Sequence, residues 1–394
     1  MTLSTESSLK VEGKKPADCA CRNRQPSAVR PAITYCTNIH PGESWPEIFS
    51  AVRRYAPVVR ERLSPDDPFP LGLRLSGRAV NEIGPAEARE FRQWCYGEGF
   101  YVASLNGFPY GTFHNAPVKQ AVYLPDWRFS ERLDYTKKLA QLLNMWLPEG
   151  MTGSISTVPV GFRPNIRPAD FSTVQNNICS ALDFFDHLVQ ESGREILLSM
   201  EPEPGCILET TGDVIDLFDR LDLTSARRDR LAVCYDCCHQ ALQFENPKDS
   251  LNLLADNEIR IGHVQVSSAL RLMDSRIGLL RRFQEPCYLH QTVGRRSDGE
   301  LLRYDDLDLA IAAAPADVEE WRVHFHVPVF LDETMECSST RFFLEEILPL
   351  LPEHPVLEVE TYTWNILPPE LQGGSVTDCL IREIEWVSKA IGSR

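Results

Sequence analysis

The sequence predicts an α/β fold, a (β/α)8 TIM barrel with a long insertion before its last strand. Three observations predict it. From Ile33 onward, short β-branched or apolar runs alternate with amphipathic stretches, and strand–helix alternation implies parallel strands joined by crossover helices. No G-x-G-x-x-G follows the first run, so an open dinucleotide-binding sheet lacks its fingerprint. Polar or acidic residues recur at the ends of the runs: Asn38 and His40, Asn106, Glu201, Asp236, Gln265, His326 and Glu360. In a barrel those ends converge on one mouth.

Residues 1–30 are polar, carry Lys14, Lys15, Pro16 and Pro26, and show little periodicity. They read as a flexible extension. Cys19 and Cys21 would need further ligands to hold zinc, and no second His or Cys pair lies nearby in sequence. Residues 31–394 read as one barrel domain. The strand candidates are Ala32–Asn38, Leu71–Leu75, Phe100–Leu105, Gly153–Val158, Ile196–Glu201, Leu231–Asp236, Ile259–Val266, Val323–Val329 and Val356–Thr361. Between them, Trp45, Ile48, Phe49, Val52 and Val59 recur at helical spacing, as do Ile178, Leu182, Phe185 and Leu188. A third helix carries Leu133, Leu139, Leu142, Leu143 and Trp146, and a last one spans Leu380–Ile391. That is one strand too many for eight. Val323–Val329 or a neighbour must lie outside the barrel, within an insertion over 272–355 that is too long for a simple loop and is expected to cap the mouth.

Composition narrows the function classes. At 394 residues the chain has room for two or three domains or for one large barrel. Its net charge of −16 opposes binding to phosphate backbones, so nucleic acid is not an expected partner. No apolar run reaches the roughly 18–20 residues of a membrane span, and the N-terminus lacks the apolar stretch of a secretory signal. The 12 cysteines are scattered, several inside strand candidates, and read as reduced thiols of a cytoplasmic protein.

Five stretches carry candidate chemistry. In Cys234-Tyr-Asp236-Cys-Cys-His239 an apolar run ends in Asp with His three residues later. The pair suits a divalent metal, or Asp236 simply caps a helix. In Ile196-Leu-Leu-Ser-Met-Glu201-Pro-Glu203 a carboxylate ends a buried run, which is costly unless it is metal-bound or paired, for example with Arg74. Glu203 reads as a supporting or solvent-facing group. In Ile261-Gly-His263-Val-Gln265, period two puts His263 and Gln265 on one side, with Gln265 nearer the mouth. His263 reads as a satisfied core histidine, and Arg271 downstream suits an anionic or hydroxylated substrate. In Val356-Leu-Glu358-Val-Glu360, Glu360 is the mouth candidate and Glu358 closes an internal ion pair. The H-x-H of His324 and His326 chelates a metal, contacts substrate or fills an edge strand, the last favoured by Pro328. His326 is nearer the strand end. Together Glu201, Asp236, Gln265 and Glu360 place four oxygen ligands on four successive strands, a set suited to Mg²⁺ or Mn²⁺ more than to structural Zn²⁺.

This succession of Glu, Asp-x-x-His, Gln and Glu resembles the xylose isomerase-like TIM barrel superfamily of sugar epimerases, hydroxypyruvate isomerase, inosose dehydratases and endonuclease IV. The resemblance implies one divalent metal held by Glu201, Asp236, Gln265 and Glu360. It implies proton exchange by Glu201 and Glu360, with His239 and Arg271 on the substrate. The stretches YCTNIHPGESW, CYDCCHQAL, YLHQ, WRVHFHVPVF and LEVETYTWN resemble, within it, the EboE-type "metabolite traffic" family of Ebo-type bacterial gene clusters. That resemblance implies a small metabolite and partners from the same cluster, and supplies no reaction. The Asp236–His239 stretch is also similar to endonuclease IV, but no Asp-x-His follows Ser267 and the charge is wrong for DNA.

The expected function is metal-assisted isomerisation or epimerisation of a small polyhydroxy carbonyl compound, with His40, Asn106, His326 and Trp364 lining the pocket. A carrier that binds a metabolite without turnover and a lyase or dehydratase on the same site are the alternatives.

Overall fold

The computed structural model describes residues 32–114, 116–333, 337–352 and 355–392. The expected N-terminal extension, with Cys19 and Cys21, lies outside the described residues. Seven strands come first: β1 (Ile33–Tyr35), β2 (Phe69–Arg74), β3 (Phe100–Asn106), β4 (Thr152–Thr157), β5 (Glu195–Met200), β6 (Leu231–Asp236) and β7 (Ile261–Val266). Then come β8 (Ser268–Leu272), β9 (Thr292–Arg296), β10 (Leu301–Tyr304), β11 (Val318–Val327) and β12 (Ser338–Ser339). The last is β13 (Val356–Val359).

The first seven strands and β13 form one parallel eight-stranded sheet in the order β1-β13-β7-β6-β5-β4-β3-β2. Its two edges meet at a parallel bridge between Cys36 and Gly72, so the sheet closes into a barrel. These strands are buried almost throughout, as parallel strands covered by helices must be. The helix Trp45–Leu63 shows how local sequence sets this. Ser44 and Glu47 form a capping box and Pro46 occupies its first turn. Trp45, Ile48, Phe49, Val52, Ala56 and Val59 make the buried face.

The other five strands form a second sheet, ordered β10-β9-β11-β8-β12, with antiparallel pairing throughout. It has its own apolar core, including Leu270, Leu280, Leu307, Trp321 and Phe325. The chain enters it at Ser268, directly after β7, and returns at β13. The ninth strand candidate therefore belongs here. It is not an edge strand, however: β11 is the centre of the sheet, flanked by β9 and β8. Pro328 lies just beyond its last residue, where no ladder N–H is needed, so the proline ends the strand instead of marking an edge. The sheet packs over the C-terminal ends of the barrel strands, where His326 Nδ1 lies 2.8 Å from the Glu360 carbonyl oxygen.

Beneath the mouth the barrel interior is polar. His263 Nδ1 lies 2.7 Å from Ser154 Oγ, itself 2.7 Å from Ser199 Oγ, and its Nε2 faces Cys234 Sγ. His263 is thus a satisfied core histidine, and burial lowers its pKa to about 3. Glu358 accepts hydrogen bonds from Ser104 and Gln265. The expected internal ion pair of Glu358 is not formed, because among the described residues no Lys or Arg reaches it; burial raises its pKa instead.

Candidate functional site

Each mouth side chain leaves the C-terminal end of a barrel strand, where the backbone turns out of the sheet. Glu201 follows β5, Asp236 ends β6, Gln265 is the penultimate residue of β7 and Glu360 follows β13. Asp236 pairs in register with Gln265, and Gln265 with Glu358. Carboxylate oxygens of Glu201, Asp236 and Glu360 lie within 4.8 Å of one another, and all three residues are buried. Among the described residues their only ion-pair partners are imidazoles: His239 beside Asp236 and His326 beside Glu360. Arg74, the expected alternative partner of Glu201, instead pairs with Glu43 at 2.8 Å.

Bringing carboxylates together in a buried site without a cation is unfavourable for their charged forms. Burial, and then the Asp236 charge, push the Glu201 pKa well above the ordinary carboxylate range. Burial, Glu201 and Asp236 do the same to Glu360. Glu201 Oε2, Asp236 Oδ2 and Gln265 Oε1 are buried with no hydrogen-bond partner. Unpaired acceptors among converging carboxylates make a donor set that fits a divalent cation. The surrounding groups hold these donors in place. Glu360 Oε1 accepts from Asn38 Nδ2 at 2.7 Å and from Asn106 Nδ2 at 3.1 Å. Asp236 Oδ1 accepts from Ser267 Oγ at 2.8 Å and from the His239 backbone N–H at 2.9 Å. Asp236 therefore caps the helix Cys237–Leu242 with one oxygen and leaves the other open.

A second group of side chains adjoins the carboxylates. His239 Nε2 lies 3.8 Å from Asp236 Oδ2 and 3.1 Å from His324 Nε2. His324 and His326 come from β11 of the second sheet. Burial lowers the pKa of His326 to about 4 and pushes that of His324 well below the ordinary imidazole range, which disfavours the charged form of each ring. Glu203 is buried, not solvent-facing. It accepts from Tyr123 Oη at 2.8 Å and Gln291 Nε2 at 3.2 Å, and burial raises its pKa. Between the two groups lies a cavity of about 50 Å³ whose walls include Asn38, Asn106, Glu201, Glu203, His239, His324, Glu360 and Tyr362. A larger cavity, about 1290 Å³, opens at the opposite end of the barrel, among the strand starts Ile33, Phe69, Thr152 and Ile261. Of the clustered residues, Glu201, Glu203, His239, His324 and Glu360 line the smaller one.

Three expected pocket residues are not brought there. Arg271 lies in β8, where its Nε pairs with Glu320 at 2.7 Å and its guanidinium covers Phe342, so it is spent within the second sheet. His40 stacks on Tyr55 with ring centroids 4.1 Å apart, and its Nε2 faces Tyr35 Oη. Trp364 donates Nε1 to the Gln372 carbonyl and packs between the two cores. Gln291, Tyr123 and Tyr362 were absent from the expected set, and Glu203 takes the supporting place that was one of its two expected readings. Tyr362 lies two residues past a mouth carboxylate, a spacing that could have singled it out. Tyr123 and Gln291 carry no such signal.

No protein-family model matches the sequence, and no curated protein matches it. Solved structures do. A xylose isomerase domain protein from Planctomyces limnophilus aligns over 93% of this chain and 100% of its own, at 12% identity and a TM-score of 0.51. The fold that the two share is the (β/α)8 TIM barrel. A D-tagatose 3-epimerase-like protein aligns over 92% of this chain and 97% of its own, at 11% identity and a TM-score of 0.50. A D-allulose 3-epimerase from Methylomonas sp. aligns over 92% and 98%, at 12% identity and a TM-score of 0.50. Within the barrel of this chain, the carboxylate cluster occupies the C-terminal mouth. Among the described residues no helix is long and apolar enough to cross a membrane.

Proposed function

We propose that this chain is a metal-dependent isomerase or epimerase of a small polyhydroxy carbonyl compound, a sugar or a cyclitol. The observation that carries the reading is the convergence of Glu201, Asp236 and Glu360 within 4.8 Å, buried and without a compensating Lys or Arg among the described residues. The epimerases among its structural neighbours support the choice of reaction. The resemblance to the metabolite traffic family supports a small metabolite as substrate.

Glu201, Asp236, Gln265 and Glu360 would hold the metal, and four oxygen donors favour Mn²⁺ or Mg²⁺. When bound, the ion supplies Lewis-acid polarisation of a substrate carbonyl, which acidifies the neighbouring C–H. Glu201 and Glu360 then act as base and acid. They stand three strands apart around the barrel, so they can reach opposite faces of one carbon. One carboxylate removes the proton and the other returns one from the far side. Burial suits both to this task, since a raised carboxyl pKa makes each a better base. Asn38 and Asn106 fix the Glu360 carboxylate at Oε1. Tyr362, on the cavity wall, offers its hydroxyl to the substrate.

The test is solvent exchange. The Mn²⁺-loaded protein is incubated in deuterated water with a panel of ketoses and cyclitol ketones, and deuterium at the carbon beside the carbonyl is followed by NMR. Exchange in the wild type that falls by about 10²–10⁴-fold in Glu360→Gln and Glu201→Gln is expected. Exchange unchanged by both substitutions overturns the proton-transfer roles. Binding without exchange makes the chain a carrier.

A further inference from the structure

We propose that the second sheet carries an anion site for a single phosphate group, formed by the guanidinium groups of Arg271, Arg295 and Arg322 beside the rings of Phe244 and Phe342. The site stands apart from the isomerase reading and uses none of the residues which that reading places in the mouth.

Antiparallel register builds the cluster. Arg322 of β11 stands directly opposite Arg271 of β8, and Glu320 of β11 directly opposite Arg295 of β9. Directly opposed residues, and alternate residues of one strand, share a face of the sheet. All four side chains therefore meet on one face, and they meet around Glu320. Arg271 Nε lies 2.7 Å and Arg322 Nε 2.8 Å from Glu320 Oε1, while Arg295 Nη2 donates to Oε2. Among the described residues no second carboxylate pairs with these three arginines. Three positive charges thus face one negative charge, in a chain whose net charge is −16.

The cluster is only partly open to water. Glu320 and Arg322 are buried, and Arg271 is largely so. Burial pushes the Arg322 guanidinium down to about 10; Glu320 opposes this, and the charges of Arg271 and Arg295 add to it. Unmatched charge in such a place is costly. Arg322 Nη1 donates to the Ala241 carbonyl near the end of the helix Cys237–Leu242. The pairing that keeps Arg271 from the mouth uses Nε alone. Its Nη1 and Nη2, with Arg295 Nε and Nη1 and Arg322 Nη2, donate to nothing among the described residues.

Two rings hold these forks. The Arg322 guanidinium carbon lies 3.7 Å and that of Arg295 4.6 Å from the centre of the Phe244 ring. That of Arg271 lies 4.6 Å from the centre of the exposed Phe342 ring. A ring contact fixes a guanidinium without using its N–H donors. Phe244 keeps its place from a left-handed backbone, φ 59°, which a bulky residue rarely adopts. Such strain persists where neighbouring contacts hold it, and it clusters at ligand sites. Arg271 and Arg295 are bridged by one carboxylate, which sets their guanidiniums within reach of one tetrahedral anion. A phosphate monoester carries a charge of about −1.5 to −2 at neutral pH, which offsets the excess. The acidity of the whole chain opposes an extended polyanion, so the fit is to one compact group.

The test is calorimetric titration of the 394-residue protein, stripped with chelator and held at constant ionic strength, with inorganic phosphate and with glycerol phosphate. One saturable equivalent is expected. Arg295→Gln should weaken it about tenfold or more, as loss of a charge-assisted hydrogen bond does. Arg296→Gln should leave it unchanged, because Arg296 pairs with Glu300 and Asp317 instead. Arg295 is 43% exposed and Glu320 keeps two cationic partners without it, so the fold is expected to survive its replacement. Arg295→Lys keeps the charge, loses the fork and should bind with intermediate affinity. Tighter binding of glycerol phosphate assigns the site to a phosphorylated metabolite, and tighter binding of inorganic phosphate assigns it to the free ion; either result supports the site. Heat no greater than that of chloride at the same ionic strength overturns it, and so does an affinity equal in Arg295→Gln and the wild type. With no metal present and no mouth residue changed, neither outcome bears on the proposed function.

Discussion

Asn106 donates its side-chain N–H to Glu360 Oε1 at 3.1 Å, across a sequence separation of 254 residues. Asn38 donates to the same oxygen at 2.7 Å. Two neutral amides thus grip one oxygen of the mouth carboxylate without neutralising its charge. Partners that aim a metal ligand commonly change metal affinity by about 10–100-fold when removed. Asn38→Ala is therefore expected to weaken Mn²⁺ binding by that order with little change in melting temperature. Calorimetric titration with Mn²⁺ decides it, and an unchanged affinity means that Glu360 is held without the asparagines.

The raised carboxyl pKa values give the metal-free protein a definite pH dependence. Glu201 and Glu360 have folded-state values above their unfolded ones. Their favourable contribution is complete below the unfolded pKa and is lost as pH rises through the folded values. A bound cation favours the ionised forms and opposes that loss. The stabilisation by Mn²⁺ should therefore be small near pH 5 and large near pH 8, reaching about 2.7 kcal/mol when free metal is about 100 times its Kd. Scanning calorimetry with Mn²⁺ or chelator at both pH values measures this, and equal shifts at the two would contradict it.

The parts legible in the sequence are those set by strand period. Period two and strand-end position are enough to find Glu201, Asp236, Gln265 and Glu360, because a parallel barrel brings strand ends together whatever lies between them. The same logic also recovers the ninth run as a strand outside the barrel. It fails where a partner comes from another sheet. Arg271 reads as a mouth residue six positions past Gln265, but the chain turns into β8 at Ser268 and Glu320 takes the guanidinium. His324 is ranked below His326 by strand-end distance, yet β11 crosses the mouth and delivers both rings. Gln291 joins the site from the segment just before β9, a long-range placement that no local pattern records.

The last helix carries a second pH-sensitive group, outside the carboxylate cluster of the mouth. Glu383 is fully buried. Its Oε1 accepts from Thr361 Oγ1 at 2.7 Å and from the Val329 N–H at 3.1 Å, which ties the helix Val376–Gly392 to the turns after β13 and β11. Burial is the main cause that moves its pKa from 4.5 up to about 7. The protein should lose about 3 kcal/mol through this residue between pH 4.5 and pH 7, as the buried carboxyl ionises. Glu383→Gln keeps the acceptor oxygen and removes the titration. Urea denaturation at pH 5 and pH 8 should show a smaller pH difference in the variant than in the wild type. Identical differences would mean that Glu383 is ionised in both states.

The floor of the site depends on a glycine. Gly72 in β2 bridges Cys36 at the barrel seam, and a Cβ built there would overlap the Glu358 carboxyl group. Glu358 has little room to retreat, since Ser104 and Gln265 hold its two oxygens. Gly72→Ala should thus cost about 1–3 kcal/mol, the usual result of overfilling a packed interior. Because the clash is with one side chain, the cost should shrink in a Glu358→Ala background, although Glu358→Ala alone is destabilising through lost hydrogen bonds and packing. A double-mutant cycle by urea denaturation isolates the coupling. Equal costs in the two backgrounds would show that backbone strain at the seam, and not the Glu358 carboxyl, demands glycine at position 72.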